Sequence, residues 1–191
     1  QEGKFNTQVA KNKNGQPDTL QTNDDIDYTA ASFFVQGDLE LNTKWLVNAG
    51  ISLNKTKVGI TRLSRYPVLT QQRNYRNELA PRISIRRNIN ESFAVKTTVS
   101  RGFSPPTVSE LLPSTGVIST ALEAEYGWNY ELAASHEFLK NKLKLEATGY
   151  YFRLNNALVQ RRDLSGADYF VNAGNVQQKG LELQADYWQA F

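Results

Sequence analysis

Apolar side chains in this sequence recur at every second position within short runs, the pattern of an extended strand with one apolar face and one polar face. Over 44–53, Trp45, Val47, Ala49, Ile51 and Leu53 share one face, while Lys44, Asn48, Gly50 and Ser52 lie with Leu46 on the other. The same division separates Phe93, Val95, Val99 and Phe103 from Lys96, Thr98 and Ser100. It separates Trp128, Tyr130, Leu132, Ala134, His136 and Phe138 from Asn129, Glu131, Ser135 and Glu137, and Leu181, Leu183, Ala185 and Tyr187 from Glu182, Gln184 and Asp186. The spacing predicts strands at roughly 29–41, 44–55, 79–88, 93–103, 126–138, 143–153, 157–172 (interrupted) and 176–188, with no amphipathic helix.

Connections between these runs alternate in length. Asn42-Thr43, Ile89 to Ser92 and Leu139 to Lys142 are of hairpin size, whereas 56–78 and 104–125 are long and collect Pro67, Pro105, Pro106 and Pro113. Tight turns on one rim and elaborated loops on the other describe an antiparallel up-and-down meander. A soluble sandwich would alternate too, so the placement of aromatics carries the decision. Phe93 and Phe103 bracket one apolar face and Trp128 and Phe138 another, each pair ten residues apart. That separation is about 33 Å along a strand, and a tilt of about 40° projects it to about 25 Å, the height of an outer-membrane barrel's apolar band between its aromatic girdles. Trp45 and Tyr187 lie beside short turns in the same phase, and the strand middles are Val, Ala, Thr, Leu and Gly rather than bulky residues. Lipid is therefore favoured over a protein core on the apolar face. The expected fold is all-β, an antiparallel up-and-down transmembrane β-barrel.

Composition agrees. No run of about 18 apolar residues occurs, which excludes a transmembrane helix. A mean hydropathy of −0.52 leaves a barrel open, because alternating strands vanish in averages. The 191 residues accommodate about eight strands, and the chain has no methionine and no charged-then-apolar leader, so we expect a processed or excised segment of a longer protein. The absence of cysteine removes disulfides and thiolate metal sites.

Four stretches carry a resemblance. Ser100-Arg101-Gly102-Phe103-Ser104-Pro105-Pro106-Thr107 with Ser109-Glu110-Leu111 resembles a motif of TonB-dependent outer-membrane receptors. Glu78-Leu79-Ala80-Pro81-Arg82-Ile83-Ser84 is similar to a hairpin start of that family, and Leu122 to Leu132, including Glu131, to a later strand. Val171-Asn172-Ala173-Gly174 with Lys179-Gly180-Leu181-Glu182-Leu183 is similar to a further one. The matches fall in the family's order and span about 30–188, although Ala124 stands where the family often has proline and Ala133 where glycine is common.

The resemblance implies a barrel of about 22 strands plugged by a globular domain. It also implies energy-coupled import of a scarce ligand, most typically a ferric siderophore, through a TonB-type partner. Residues 1–191 would then be part of the barrel domain, without plug or C-terminal strands, in the bacterial outer membrane, with no intrinsic cofactor. Within the motifs, Pro105 and Pro106 would end ladder pairing, and Gly102 and Gly180 would mark a bend or a close backbone approach. Glu131 and Glu182, on the lumen face, would meet arginines of the plug or remain solvated. Arg101 would snorkel to headgroup phosphate or form a rim ion pair.

Charge is uneven. The net charge is +3, but Lys55 to Arg87 holds nine basic residues against one acid, Glu78. Nucleic acid, anionic headgroups or an anionic ligand would each suit such a block. With membrane-spanning strands, the expected partners are outer-membrane lipid and lipopolysaccharide, and nucleic acid is not expected. Arg62, Arg65, Tyr66, Arg73, Tyr75 and Arg76 fall in a long connection and are the candidate ligand-binding residues, since guanidinium and phenol groups suit an anionic, aromatic-rich cargo. Arg161, Arg162 and Asp163 form a weaker set.

No catalytic constellation is present. One histidine, His136, makes neither a triad nor a metal site, and we expect it to pack at the membrane interface. Two other architectures remain open at this point: a complete eight-stranded outer-membrane barrel acting as an adhesin or structural protein, and a soluble β-sandwich binding an anionic polymer.

Overall fold

A computed structural model describes residues 2–113, 117–139 and 142–188. Its strands are β1 (Glu2–Lys13), β2 (Gln16–Asn42), β3 (Trp45–Arg62), β4 (Leu69–Asn74), β5 (Glu78–Asn88), β6 (Phe93–Ser104), β7 (Glu125–Phe138), β8 (Leu143–Asn155), β9 (Leu158–Arg162), β10 (Asp168–Asn172) and β11 (Val176–Tyr187), with one helical turn, α1 (Val108–Leu111). One antiparallel sheet runs β1-β2-β3-β5-β6-β7-β8-β11, and β4 pairs with β3 beside that path. Among the described residues β1 and β11 stand at opposite ends, so no small closed barrel forms, and no second sheet covers the apolar face as a sandwich requires.

Asparagine builds the short turns. Asn42 Oδ1 accepts from the backbone N–H of Lys44 at 2.9 Å and Trp45 at 3.1 Å, and Asn90 Oδ1 from Ser92 at 2.9 Å and Phe93 at 2.8 Å. The Leu139 to Lys142 turn lies partly outside the described residues. From β3 to β11 the wall ladders run without a register shift, so side chains line up in rows across the sheet. One row reads Leu39, Val47, Ile85, Thr97, Leu132, Gly149, Leu181 on the outer face. Another reads Gln36, Gly50, Arg82, Ser100, Asn129, Phe152, Gln178 on the inner face. The outer rows stay open, with Phe33 74% and Leu183 77% exposed, as lipid-facing side chains are.

Three departures from the sequence expectation share one cause. β2 begins at Gln16 rather than near 29, and β1 pairs along its upper half to form a long hairpin closed by Asn14-Gly15, both at positive φ. The expected 56–78 loop is instead the upper end of β3 plus β4. The interrupted 157–172 run is not a wall strand but a separate two-stranded hairpin of β9 and β10. Above the membrane band strands need no apolar outer face, so their residues lose the alternation that reveals strands within it.

Among the described residues the buried apolar cluster also lies above the band. Ile26, Val58 and Ile60 point inward from β2 and β3 and pack with Tyr75, Leu111 and Leu122, flanked by Leu158 and Phe170 of the β9–β10 hairpin. The described part of the 104–125 connection is thus folded onto the inner side of the sheet.

Candidate functional site: the mouth and the lumen wall

Proline stops strand β6 at Pro105-Pro106, and Thr107 begins α1. Glu110 Oε2 accepts from the Thr107 backbone N–H at 2.6 Å and from its hydroxyl at 2.8 Å, fixing a one-turn helix that buries Leu111 completely. Arg101 ion-pairs with Glu78 at 2.6 Å, donates to the Leu79 carbonyl, and lies 5.1 Å from the Tyr126 ring centroid. This is the rim ion pair of the two readings above. Phe103 pairs with Tyr126 on the outer face.

Asn172 and Gly174 form a clamp. Asn172 holds both backbone groups of Glu123 and the Asn156 carbonyl, and Gly174, at φ +107°, turns the chain so that its carbonyl accepts from Ala157 at 2.9 Å. Glu125 Oε1 accepts from the Leu158 backbone N–H at 2.6 Å, tying β7 to β9. Gly180 faces a side chain rather than backbone: a Cβ there would lie 2.6 Å from the Tyr150 hydroxyl. Gly127 is covered by both the Phe152 ring and the Arg153 backbone carbonyl, whereas Gly102 has nothing within 4 Å, so no close approach explains it.

The six candidate ligand-binding residues divide. Arg62 makes a bidentate pair with buried Asp24, at 2.7 and 2.9 Å. Arg73 pairs with Glu123 and lies over the ring of Tyr75, which is buried with its hydroxyl unpartnered among the described residues. Burial pushes the Tyr75 phenol up to about 12. These three hold the mouth together. Arg65, Tyr66 and Arg76 are exposed, Tyr66 by 97%, and only they are free to meet a ligand. Neither Asp24 nor Glu123 was a candidate from sequence, since nothing local marks a partner 38 or 50 residues away.

At the β9–β10 tip, Arg162 and Asp168 form a second bidentate pair, at 2.8 and 3.3 Å, which holds the Asp168 carboxyl below its ordinary range. Asp163 accepts from Ser165 and Ala167 and is lowered by those bonds. Arg161 is exposed beside them.

On the lumen face, Glu131 accepts from Asn129 at 2.6 Å, and both line a recess with Thr148, Tyr150, Phe152, Gln178 and Glu182. On the outer face, aromatics mark both rims. His136 stacks 4.1 Å from Phe138 and 5.9 Å from Phe93, and Arg87 lies 5.1 Å over Trp45, with Tyr187 at the same end. Trp128, Tyr130 and Tyr151 stack in sequence at the other end, at 6.4 and 6.3 Å. Among the described residues no cluster could hold a metal ion, and no helix is long and apolar enough to cross a membrane.

An antiparallel wall sheet with an aromatic-bounded open outer face, a polar inner face, tight turns below and a folded loop core above is a segment of transmembrane β-barrel wall. Residues 2–191 match the family model of the TonB-dependent receptor-like β-barrel, and the chain belongs to that family, a family of receptors in the bacterial outer membrane. Its fold resembles the ferric-catecholate import receptor Fiu from K12 E. coli, at TM-score 0.64 and 13% identity over 89% of this chain and 27% of that one. It also resembles the copper transporter OprC, at TM-score 0.65 and 14% identity over 90% and 28%. For the ferripyoverdine receptor of the outer membrane of Pseudomonas aeruginosa the values are 0.64 and 15%, over 95% and 23%. The chain thus spans about a quarter of the length of these structures. No curated protein matches it by sequence.

Proposed function

We propose that the whole protein is an energy-coupled importer of a scarce ligand, a ferric siderophore, with a plug domain in the lumen and a TonB-type partner supplying the energy. The observation that carries this reading is the family match together with a mouth whose unspent groups are Arg65, Tyr66 and Arg76. Two guanidinium groups and a phenol offer charge-assisted hydrogen bonds and ring stacking to an anionic, aromatic chelate. Several solved relatives are named for iron uptake, and one for copper, which sets the competing cargo. Outer-leaflet headgroups are the proposed lipid partner, met by Lys55 and Lys57, which are exposed in the outward phase above the apolar band.

Growth of a strain deleted for the full-length gene, supplied with one ferric siderophore at a time, tests the cargo. Growth should fail on one source and return with the full-length gene but not with Arg65→Glu/Arg76→Glu. Unchanged growth on every ferric siderophore, with loss of copper accumulation, would sink the siderophore reading.

A further inference from the structure

On the lumen side of β5 and β6, Arg82, Arg86 and Lys96 stand on one face, with Arg86 directly opposite Lys96 in the ladder. None of the three makes an ion pair among the described residues, and the one side-chain hydrogen bond that any of them makes among those residues is from Arg86 Nε to Asn88 Oδ1 at 3.0 Å. Like charges directly opposite each other across a strand pair are destabilising. The lumen acids lie elsewhere: Asp38 and Glu40 on β2, Glu131 and Glu137 on β7, and Glu146, Glu182 and Asp186 on β8 and β11. Asp38 is already bonded to Asn48 at 2.6 Å and Glu146 to Lys144 at 3.1 Å.

Between the three cations the wall is small and fully satisfied. Ser84 and Thr98 are buried and bonded to each other at 3.2 Å, leaving a recess of about 220 Å³ lined by Leu46, Asn48, Arg82, Ser84, Arg86 and Lys96. The geometry points to a docking seat: a basic stripe two strands wide, flanked by acids, that receives an acidic surface of the lumen-filling domain of the same protein. This rests on the transporter reading above, and it names where and by which charge the barrel grips that domain. The unpaired cations call for carboxylates, and the share of relatives' length lying outside this chain favours a protein occupant. Its carboxylates must meet two sites about 13 Å apart, the distance covered by the four residue steps from Arg82 to Arg86. Opposed acidic and basic stripes fix which way the domain faces as well as whether it stays.

The test uses the full-length receptor in detergent. A zero-length carbodiimide cross-linker should join the Lys96 amine to an aspartate or glutamate peptide from outside residues 1–191. Arg86→Glu/Lys96→Glu should raise the rate of proteolytic release of the lumen domain at least about tenfold. Arg86→Gln/Lys96→Gln should give a smaller rise, and the barrel's heat-modifiable band should persist in both variants. A lumen domain protected equally in wild type and both variants, with Lys96 open to amine-reactive reagent, would overturn the seat while leaving transport intact. Cross-linking of Lys96 only to added citrate would overturn it too, in favour of a path for small anions. Absence of any protected lumen domain in the wild type would overturn both readings.

Discussion

Asn172 grips Glu123 by both backbone groups: its Nδ2 donates to the Glu123 carbonyl at 3.0 Å while its Oδ1 accepts from the Glu123 N–H at 2.9 Å. The same Nδ2 reaches the Asn156 carbonyl at 2.8 Å, so one side chain joins β10, the 104–125 connection and the start of the β9–β10 hairpin. Because Glu123 in turn holds Arg73, the grip extends to β4. Asn172→Ala should leave three backbone groups to water, costing about 0.5–1.5 kcal/mol locally. Hydrogen exchange in the full-length protein should speed at Glu123 and Ser119 and stay unchanged at Thr98. Asn172→Asp should be worse, since it sets a carboxylate against two carbonyls.

Breaking the Asp24–Arg62 pair from one side should be severe. Asp24 is 1% exposed and the Arg62 side chain 12%, so Asp24→Ala takes the carboxylate from a largely covered guanidinium, at a cost of about 3–5 kcal/mol. Asp24→Leu/Arg62→Met, which removes both charges, should recover most of it. Urea unfolding of the mouth, followed by protease sensitivity of the β1–β2 hairpin, measures both. Equal losses in the single and double variants would mean that the pair does not act as a unit.

The glycines of β7 and β11 should respond unequally to alanine. At Gly127 a Cβ meets the Phe152 ring at 2.7 Å and the Arg153 carbonyl at 2.9 Å, and backbone cannot step aside. At Gly180 the nearest atoms belong to the far end of Tyr150, which can rotate. Gly127→Ala should cost about 1–3 kcal/mol and Gly180→Ala less. Tyr150→Ala should relieve the second substitution, and Gly102→Ala, in open space, should be neutral. Denaturant midpoints of heat-modifiable barrel give the ranking.

Tyr75 makes the mouth sensitive to alkali. Its phenol rises from 10.0 to about 12 on folding. A raised pKa means that the neutral ring is favoured in the native state. The stability it contributes is complete below pH 10 and declines as pH climbs from there through about 12. Tyrosinate absorbance should show one group titrating late in wild type and absent in Tyr75→Phe. The phenylalanine variant should also keep the α1 region protected at higher pH.

Strands within the membrane band were legible because lipid on one side and a polar lumen on the other write themselves into alternate residues, as in Trp45 to Leu53 or Phe93 to Phe103. Above the band that contrast disappears. Thr22, Asn23 and Asp24 of β2 or Gln71 and Gln72 of β4 read as loop, and only pairing with β1 and β3 makes them strand. The basic block was visible as charge, but charge alone does not tell a ligand-binding arginine from one already spent on Asp24 or Glu123. The lumen stripe was hidden for a related reason: Arg86 and Lys96 become neighbours only through the β5–β6 register.

β2 runs unbroken for 27 residues, about 90 Å, from the Asn14-Gly15 tip to the short-turn rim, and its ladder with β3 holds one register from Asp24 to Glu40. A strand clamped in this way has no joint at the membrane surface. Toward the tip the β1–β2 ladder shifts register at Val9/Ala10 and Ala10/Asn12, so bending collects there while the stretch from Asp24 inward stays aligned with the wall.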